Sequence, residues 1–237
     1  MKRLLSFAVI ASLLFTPAVN AAPKKISVKP MQLLTTVGTP DEVSGVVASG
    51  KSLIVFGSKA SKAYARAVDT TGKEIWNLSL DPSAASIATA AAVDSVGDIW
   101  IAGATPLSLG LTPPSPSPTP VNPDNASVPP TSTLSNLQAL AVWKISSAGS
   151  LLSANTMPTS SVLFPTSISV DRNGASVVGI IGSEKGSAGF LVNTDKAGLF
   201  GKMLQIGLVS TTADAVVRHT DGSFTVAGSS SEALAGK

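Results

Sequence analysis

Four stretches of this chain repeat one pattern. Each is an apolar strand, a short turn with glycine, and a second apolar strand that closes on glycine. They run 46–57, 92–103, 169–182 and 217–228. The closing residues Gly57, Gly103, Gly182 and Gly228 are separated by 46, 79 and 46 residues. The middle interval is longer by 33, and a proline-rich stretch falls inside it. Recurrence at fixed spacing means that each unit is one supersecondary element. Such a unit cannot bury its apolar faces alone and must stack on its neighbours.

A second hairpin follows the first in each complete unit. Ala63 to Val68 meets the turn Asp69-Thr70-Thr71-Gly72 and then Glu74 to Leu80. Leu140 to Ile145 meets Ser146-Ser147-Ala148-Gly149, then Ser150 to Ala154. Phe190 to Val192 meets Asn193 to Gly198, then Leu199 to Ile206. Asp and Asn bond their own backbone in turns, and glycine supplies positive φ. Four antiparallel strands at a period near 46 predict an all-β chain, a β-propeller of four-stranded blades. The 20 Gly and 16 Pro, with only 13% charged residues, argue against a mostly helical protein.

The strand count predicts three complete blades, one spare outer strand at Ile26 to Thr36, and half a blade. Only nine residues follow Gly228, so the chain stops where the third strand of the fourth unit should begin. The expectation is a fragment of a longer parent; imperfect closure of four blades is the alternative. The expected organisation is residues 1–21 as a leader, 22–41 as an N-terminal segment with a closing outer strand, and 42–237 as blades.

Lys2 and Arg3, the apolar run Leu4 to Phe15, Pro17 and the small residues before Pro23 have the make-up of a secretory signal peptide. Cleavage is expected after Ala21 or one residue later. Removing the leader takes away two cations and leaves a net charge of about +1 from the full-chain +3. The remaining basic residues are scattered, so nucleic acid is not an expected partner. The run is also too short to anchor, so no integral membrane segment is expected in the mature chain. With no Cys, thiol catalysis, Cys-ligated metals and disulfides are excluded.

Residues 104–137 interrupt the second blade. Pro113-Pro114-Ser115-Pro116-Ser117-Pro118-Thr119-Pro120 cannot feed a strand ladder and favours polyproline II. A disordered or semi-rigid surface insertion is expected, with a ligand for a proline-recognising partner or an O-glycosylated tract as functional alternatives.

Ala91 to Gly103, followed after the insertion by Ala139 to Ser150, resembles the SBBP-type repeat of bacterial extracytoplasmic β-propellers. In that family an Asp-x-x-Gly turn leads to a strand ending in Gly, and a later strand ends in Lys before a Ser-Gly turn. The similarity covers most of residues 42–237. It implies an exported protein used for binding or adhesion, with no shared catalytic set. The chain departs from the pattern at Gly50, where the turn lacks Asp, and at Arg218, which interrupts an apolar strand end.

Candidate chemistry is sparse. Asp69, Asp94, Asp171 and Asp221 recur at turns. Calcium is one reading, but the alternating Asp pattern with a terminal Glu is missing, and turn stabilisation explains them. His219 is the single candidate base and flanks a turn, and no Gly-x-Ser-x-Gly elbow exists to partner it. Asp41-Glu42 is the only adjacent acidic pair. Trp100 and Trp143, either side of the insertion, are the candidate ligand-binding residues, as a stacking platform for a sugar; blade-to-blade packing is the alternative. Trp76 fits neither role strongly.

No catalytic or metal-ligating set and no cofactor are expected. The functional expectation is a secreted, non-catalytic propeller that binds a protein or glycan or scaffolds a cell surface. The alternatives are a propeller enzyme of glycan lyase or lactonase type, with its site in a missing C-terminal part, and a structural spacer.

Overall fold

Middle strands of this protein read as unbroken apolar runs, such as Ile99-Trp100-Ile101 and Ala139-Leu140-Ala141-Val142. Such runs suit strands buried on both faces, and the architecture buries them so. A computed structural model describes residues 41–81, 85–107 and 137–232. They contain fourteen strands and no helix, in four antiparallel sheets. The first sheet is β1 (Asp41–Ser49), β2 (Ser52–Lys59), β3 (Lys62–Val68) and β4 (Glu74–Ser79), in that order. The second is β5 (Ile87–Val93), β6 (Ile99–Thr105), β7 (Ala139–Ile145) and β8 (Leu151–Pro158). The third is β9 (Leu163–Asp171), β10 (Gly174–Ser183), β11 (Gly186–Asn193) and β12 (Leu204–Ile206). The fourth holds only β13 (Thr211–Arg218) and β14 (Phe224–Ser230).

Each sheet packs face to face on the next. Ile54, Phe56 and Ala65 of the first sheet meet Ile99, Ile101, Trp143 and Ile145 of the second. Trp100, Leu140 and Val142 on the other face of that sheet meet Leu163, Ile168, Val177 and Phe190 of the third. Val178 and Leu191 then meet Ala213 and Val216 of the fourth. The alanines of β3, β5 and β7 let these faces approach closely. The first strands are themselves neighbours in sequence order, β1 beside β5, β5 beside β9, and β9 beside β13.

One device recurs in all four sheets. The first strand carries a one-residue bulge, at Ser44, Thr89, Thr166 and Asp214. Opposite each bulge the second strand places a glycine, Gly57, Gly103, Gly179 or Gly228. A bulge bends its strand and turns a carbonyl out of the ladder. Here the carbonyl oxygens of Glu42, Ile87, Phe164 and Thr212 press where a Cβ on these glycines would sit. Only glycine fits that approach. The bulged threonines add a bond back to the partner strand, Thr89 Oγ1 to the Ala102 carbonyl at 3.3 Å and Thr166 Oγ1 to that of Val178 at 3.2 Å.

This corrects the repeat spacing expected from sequence. The third equivalent glycine is Gly179, not Gly182, and the intervals become 46, 76 and 49. A Cβ at Gly182 would make only ordinary contacts, with the Ser161 side chain at 3.4 Å and the Val162 carbonyl at 3.7 Å. The run Val177-Val178-Gly179-Ile180-Ile181-Gly182 holds two glycines, and the close approach of the Phe164 carbonyl, the Phe190 ring and the Pro165 backbone distinguishes the first.

A second device joins successive sheets at their outer strands. The Trp76 ring of β4 lies over Gly149, in the β7–β8 turn, and its Nε1 donates to the Ser147 carbonyl at 3.3 Å. Asn155 of β8 repeats the arrangement over Gly198, in the β11–β12 turn, donating to the Ala197 carbonyl at 3.1 Å. Trp76 is thereby given a packing role.

The outer strand of the third sheet is shorter than expected. Of the stretch from Leu199, only Leu204–Ile206 is strand, while Phe200 makes an isolated bridge to Thr194 and packs on the adjoining core. At the proline-rich interruption, Ala104 and Thr105 complete β6 and Leu137 is buried. The prolines from Pro113 to Pro130, the leader and residues 22–40 lie outside the described residues. Among the described residues, no helix is long and apolar enough to cross a membrane.

Candidate ligand-binding groove

Five hairpin turns share one geometry, and all lie on the same edge of their sheets. They begin at Asp69, Asp94, Ser146, Asp195 and His219. In each, the first residue accepts from the N–H of a glycine three positions on, and its own N–H donates to the carbonyl four positions on. The glycines Gly72, Gly97, Gly149, Gly198 and Gly222 have φ between 84° and 92°, which favours glycine. The aspartates close these turns from inside. Asp94 Oδ1 accepts from the N–H of Val96 at 3.0 Å and of Asp98 at 2.9 Å. Asp195 Oδ1 does the same for Ala197 and Leu199, both at 2.9 Å. Asp69 Oδ1 takes Thr71 Oγ1 at 2.6 Å and two backbone N–H groups, and these bonds hold its carboxyl below the usual range.

The recurring aspartates therefore have a structural explanation in their own loops. Among the described residues no three His, Asp or Glu side chains converge as a metal-binding group. Gly50, where Asp was missing, sits in a two-residue turn at φ 59°, a different loop that needs no side-chain acceptor.

Trp100 and Trp143 do not form a shared platform. Cross-strand register pairs Trp100 with Lys144 and Trp143 with Ile101, so the two rings project from opposite faces of one sheet. Each is buried, at 1% and 3% exposure, in a different core. The expectation that they jointly offer a stacking surface is corrected on that ground. His219 sits in an exposed turn with Nε2 2.9 Å from Thr225 Oγ1. Glu42 accepts from Ser58 Oγ at 3.3 Å.

A polar network instead surrounds the edge of Trp100. Its Nε1 donates to Asp94 Oδ2 at 3.0 Å. Lys144 Nζ stands 4.9 Å over the ring centroid, 3.0 Å from Asp98 Oδ2 and 3.8 Å from Asp94 Oδ2. A cation over a tryptophan face with two carboxylates beside it fixes the Lys144 head at the mouth of the core.

The next sheet boundary is built differently. Arg218 Nε lies 3.0 Å from Asp171 Oδ1, and Nη1 reaches the Ala175 carbonyl at 3.2 Å. Burial works to raise the Asp171 pKa, but the Asn173 N–H, the Arg218 charge and further hydrogen bonds outweigh it, and the net direction is down. A carboxyl with a depressed folded-state pKa stabilises the fold above its unfolded value near 3.9, and that contribution is lost as pH falls through the lowered value. Arg218, which interrupts an apolar pattern in sequence, thus closes the core between the third and fourth sheets.

Between these two networks the turns leave a continuous groove. One hollow, about 250 Å³, is lined by Trp100, Lys144, Arg172 and Lys196 among others. A second, about 380 Å³, is lined by Ser95, Asp171, Arg172, Arg218 and Thr220. Ser95, Asp171 and Arg172 belong to both. Neither Arg172 nor Lys196 was singled out in the sequence. Both sit inside turn loops whose convergence depends on the sheet order, so nothing local marks them.

Comparison with protein-family models finds none that matches this chain, and comparison with curated proteins finds no matching relative.

Proposed function

We propose that the four sheets are blades of a β-propeller, and that the protein is an exported, non-catalytic binding module. The observation that carries the reading is the bulge-and-glycine pair, repeated at Gly57, Gly103, Gly179 and Gly228 while β1, β5, β9 and β13 pack side by side. First strands placed in sequence order next to one another, each bent at the same point, suit blades set around an axis. The resemblance of residues 91–103 and 139–150 to SBBP-type repeats supports the same reading, and with the leader-like residues 1–21 it favours a secreted or extracytoplasmic site of action.

Binding then falls to the loops of one blade edge, as is usual where a rigid scaffold presents turns. The groove between the turns of the second, third and fourth sheets is the contact surface of choice, and its ligand is a protein or a glycan. A glycan and protein array probed with the purified chain tests the reading. Retention of one ligand class is expected. A chain that binds nothing on the array is a spacer, and turnover of any retained sugar replaces the binding module with an enzyme.

A further inference from the structure

The groove is short of acceptors and rich in donors, which narrows the ligand; this inference rests on the binding-module reading. Asp94 uses Oδ1 on two backbone N–H groups and Oδ2 on Trp100 and Lys144. Asp171 gives Oδ1 to the Asn173 N–H and Arg218, and Oδ2 to the Asn173 side chain. Both carboxylates that line the groove are therefore occupied. Asp98 outside it is paired with Lys144, and Asp195 and Asp221 turn Oδ1 into their own loops.

Two of the cations are not so engaged. Arg172 and Lys196 are exposed and have no ion pair among the described residues. Lys144 and Arg218 also line the groove but are held by Asp94, Asp98 and Asp171, which leaves Arg172 and Lys196 as its two unpaired cations among the described residues. The hydroxyls of Ser95 and Thr220 stand beside them. Neutral sugar hydroxyls need acceptors as well as donors, and this surface offers few. A guanidinium and an ammonium suit a carboxylate directly.

The form of the edge points to a glycan rather than a peptide. A bound peptide strand pairs its main chain with an open sheet edge. The groove, in contrast, is lined by hairpin turns at the strand ends and not by an edge strand, and the N–H groups of those turns are closed by aspartate and backbone carbonyls. Val96 adds an apolar contact at the rim, 77% exposed. The hollow on the opposite edge, near Glu184 and Lys185, has one charge of each sign and no such excess.

We propose that the groove binds an acidic glycan through its carboxylate groups, with Arg172 and Lys196 as the direct contacts. The test titrates the full chain calorimetrically with an oligogalacturonate, its methyl ester and poly-L-glutamate. Oligogalacturonate is expected to bind, and the ester at least tenfold more weakly. The double variant R172A/K196A is expected to lose at least tenfold, with its unfolding midpoint unchanged because neither side chain is buried. K51A, on the turn of the first sheet, is expected to bind as the parent does. Added salt weakens the parent's binding.

Equal affinity for the ester, or an unaffected double variant, overturns the proposal. Tighter binding of poly-L-glutamate moves the ligand to an acidic peptide and overturns the glycan assignment. Retention of neutral glycans alone overturns this inference and leaves the binding module standing. An array that retains nothing removes both.

Discussion

Gly179→Ala is expected to destabilise the protein by about 3 kcal/mol or more, while Gly182→Ala, three residues along the same strand, leaves it within about 0.5 kcal/mol of the parent. The two substitutions add the same methyl group to the same element. At Gly179 it lands on the Phe164 carbonyl, and lies 2.7 Å from both the Phe190 ring and the Pro165 Cα. Two of these three atoms are backbone, held by the β9–β10 ladder, so relief requires undoing the bulge. At Gly182 the nearest atom is the Ser161 Cβ at 3.4 Å, an ordinary contact. Neither glycine has positive φ, so conformational strain does not blur the comparison. Urea unfolding of the pair measures it. Equal midpoints would mean that the bulge does not constrain the second strand.

Trp100→Ala carries the second large effect. The ring is 1% exposed in the core between the second and third sheets, and loss of a buried Trp costs about 3–5 kcal/mol. Set against a total stability of about 5–15 kcal/mol, that leaves little reserve. The substitution also strips Asp94 Oδ2 of its indole donor and Lys144 of the ring beneath it. Trp100→Phe separates the two contributions. It keeps much of the apolar area and removes the donor with part of the ring's volume, for an expected loss of about 1–3 kcal/mol. Trp76→Ala is the reference, since that ring covers a turn glycine from an outer strand and is only partly buried. Thermal melts should rank Trp100→Ala below Trp100→Phe and Trp76→Ala. A milder effect at Trp100 than at Trp76 would contradict the placement of the core.

The strands were legible because their chemistry is local. Asp69-Thr70-Thr71-Gly72 and Asp94-Ser95-Val96-Gly97 announce hairpins by residue type alone, and the apolar runs between them fix four strands to a unit. The choice between Gly179 and Gly182 was not legible, since it turns on a carbonyl contributed by another strand. The faces of Trp100 and Trp143 follow from register across the proline-rich interruption, and register is a property of the pairing rather than of either strand. Arg218 shows the same limit in reverse. In sequence it reads as a fault in an apolar pattern, whereas across the sheet boundary it meets Asp171. The groove was out of reach for that reason too. Arg172 lies in the β9–β10 turn and Lys196 in the β11–β12 turn, and only the packing order of the sheets brings them to one surface.

The groove requires turns from three sheets to converge at one end of the strands, and a cross-link measures that convergence most directly. The chain has no cysteine, so a pair introduced by Ser95→Cys and Thr220→Cys is the only one present. These two positions lie in turns of the second and fourth sheets and line one hollow together with Arg172. A short bis-maleimide should bridge the pair within one folded molecule, and fail to do so efficiently in urea, where the intervening chain is long and open. The same low yield in the folded and unfolded protein would contradict the stacking order of the sheets, and with it the groove.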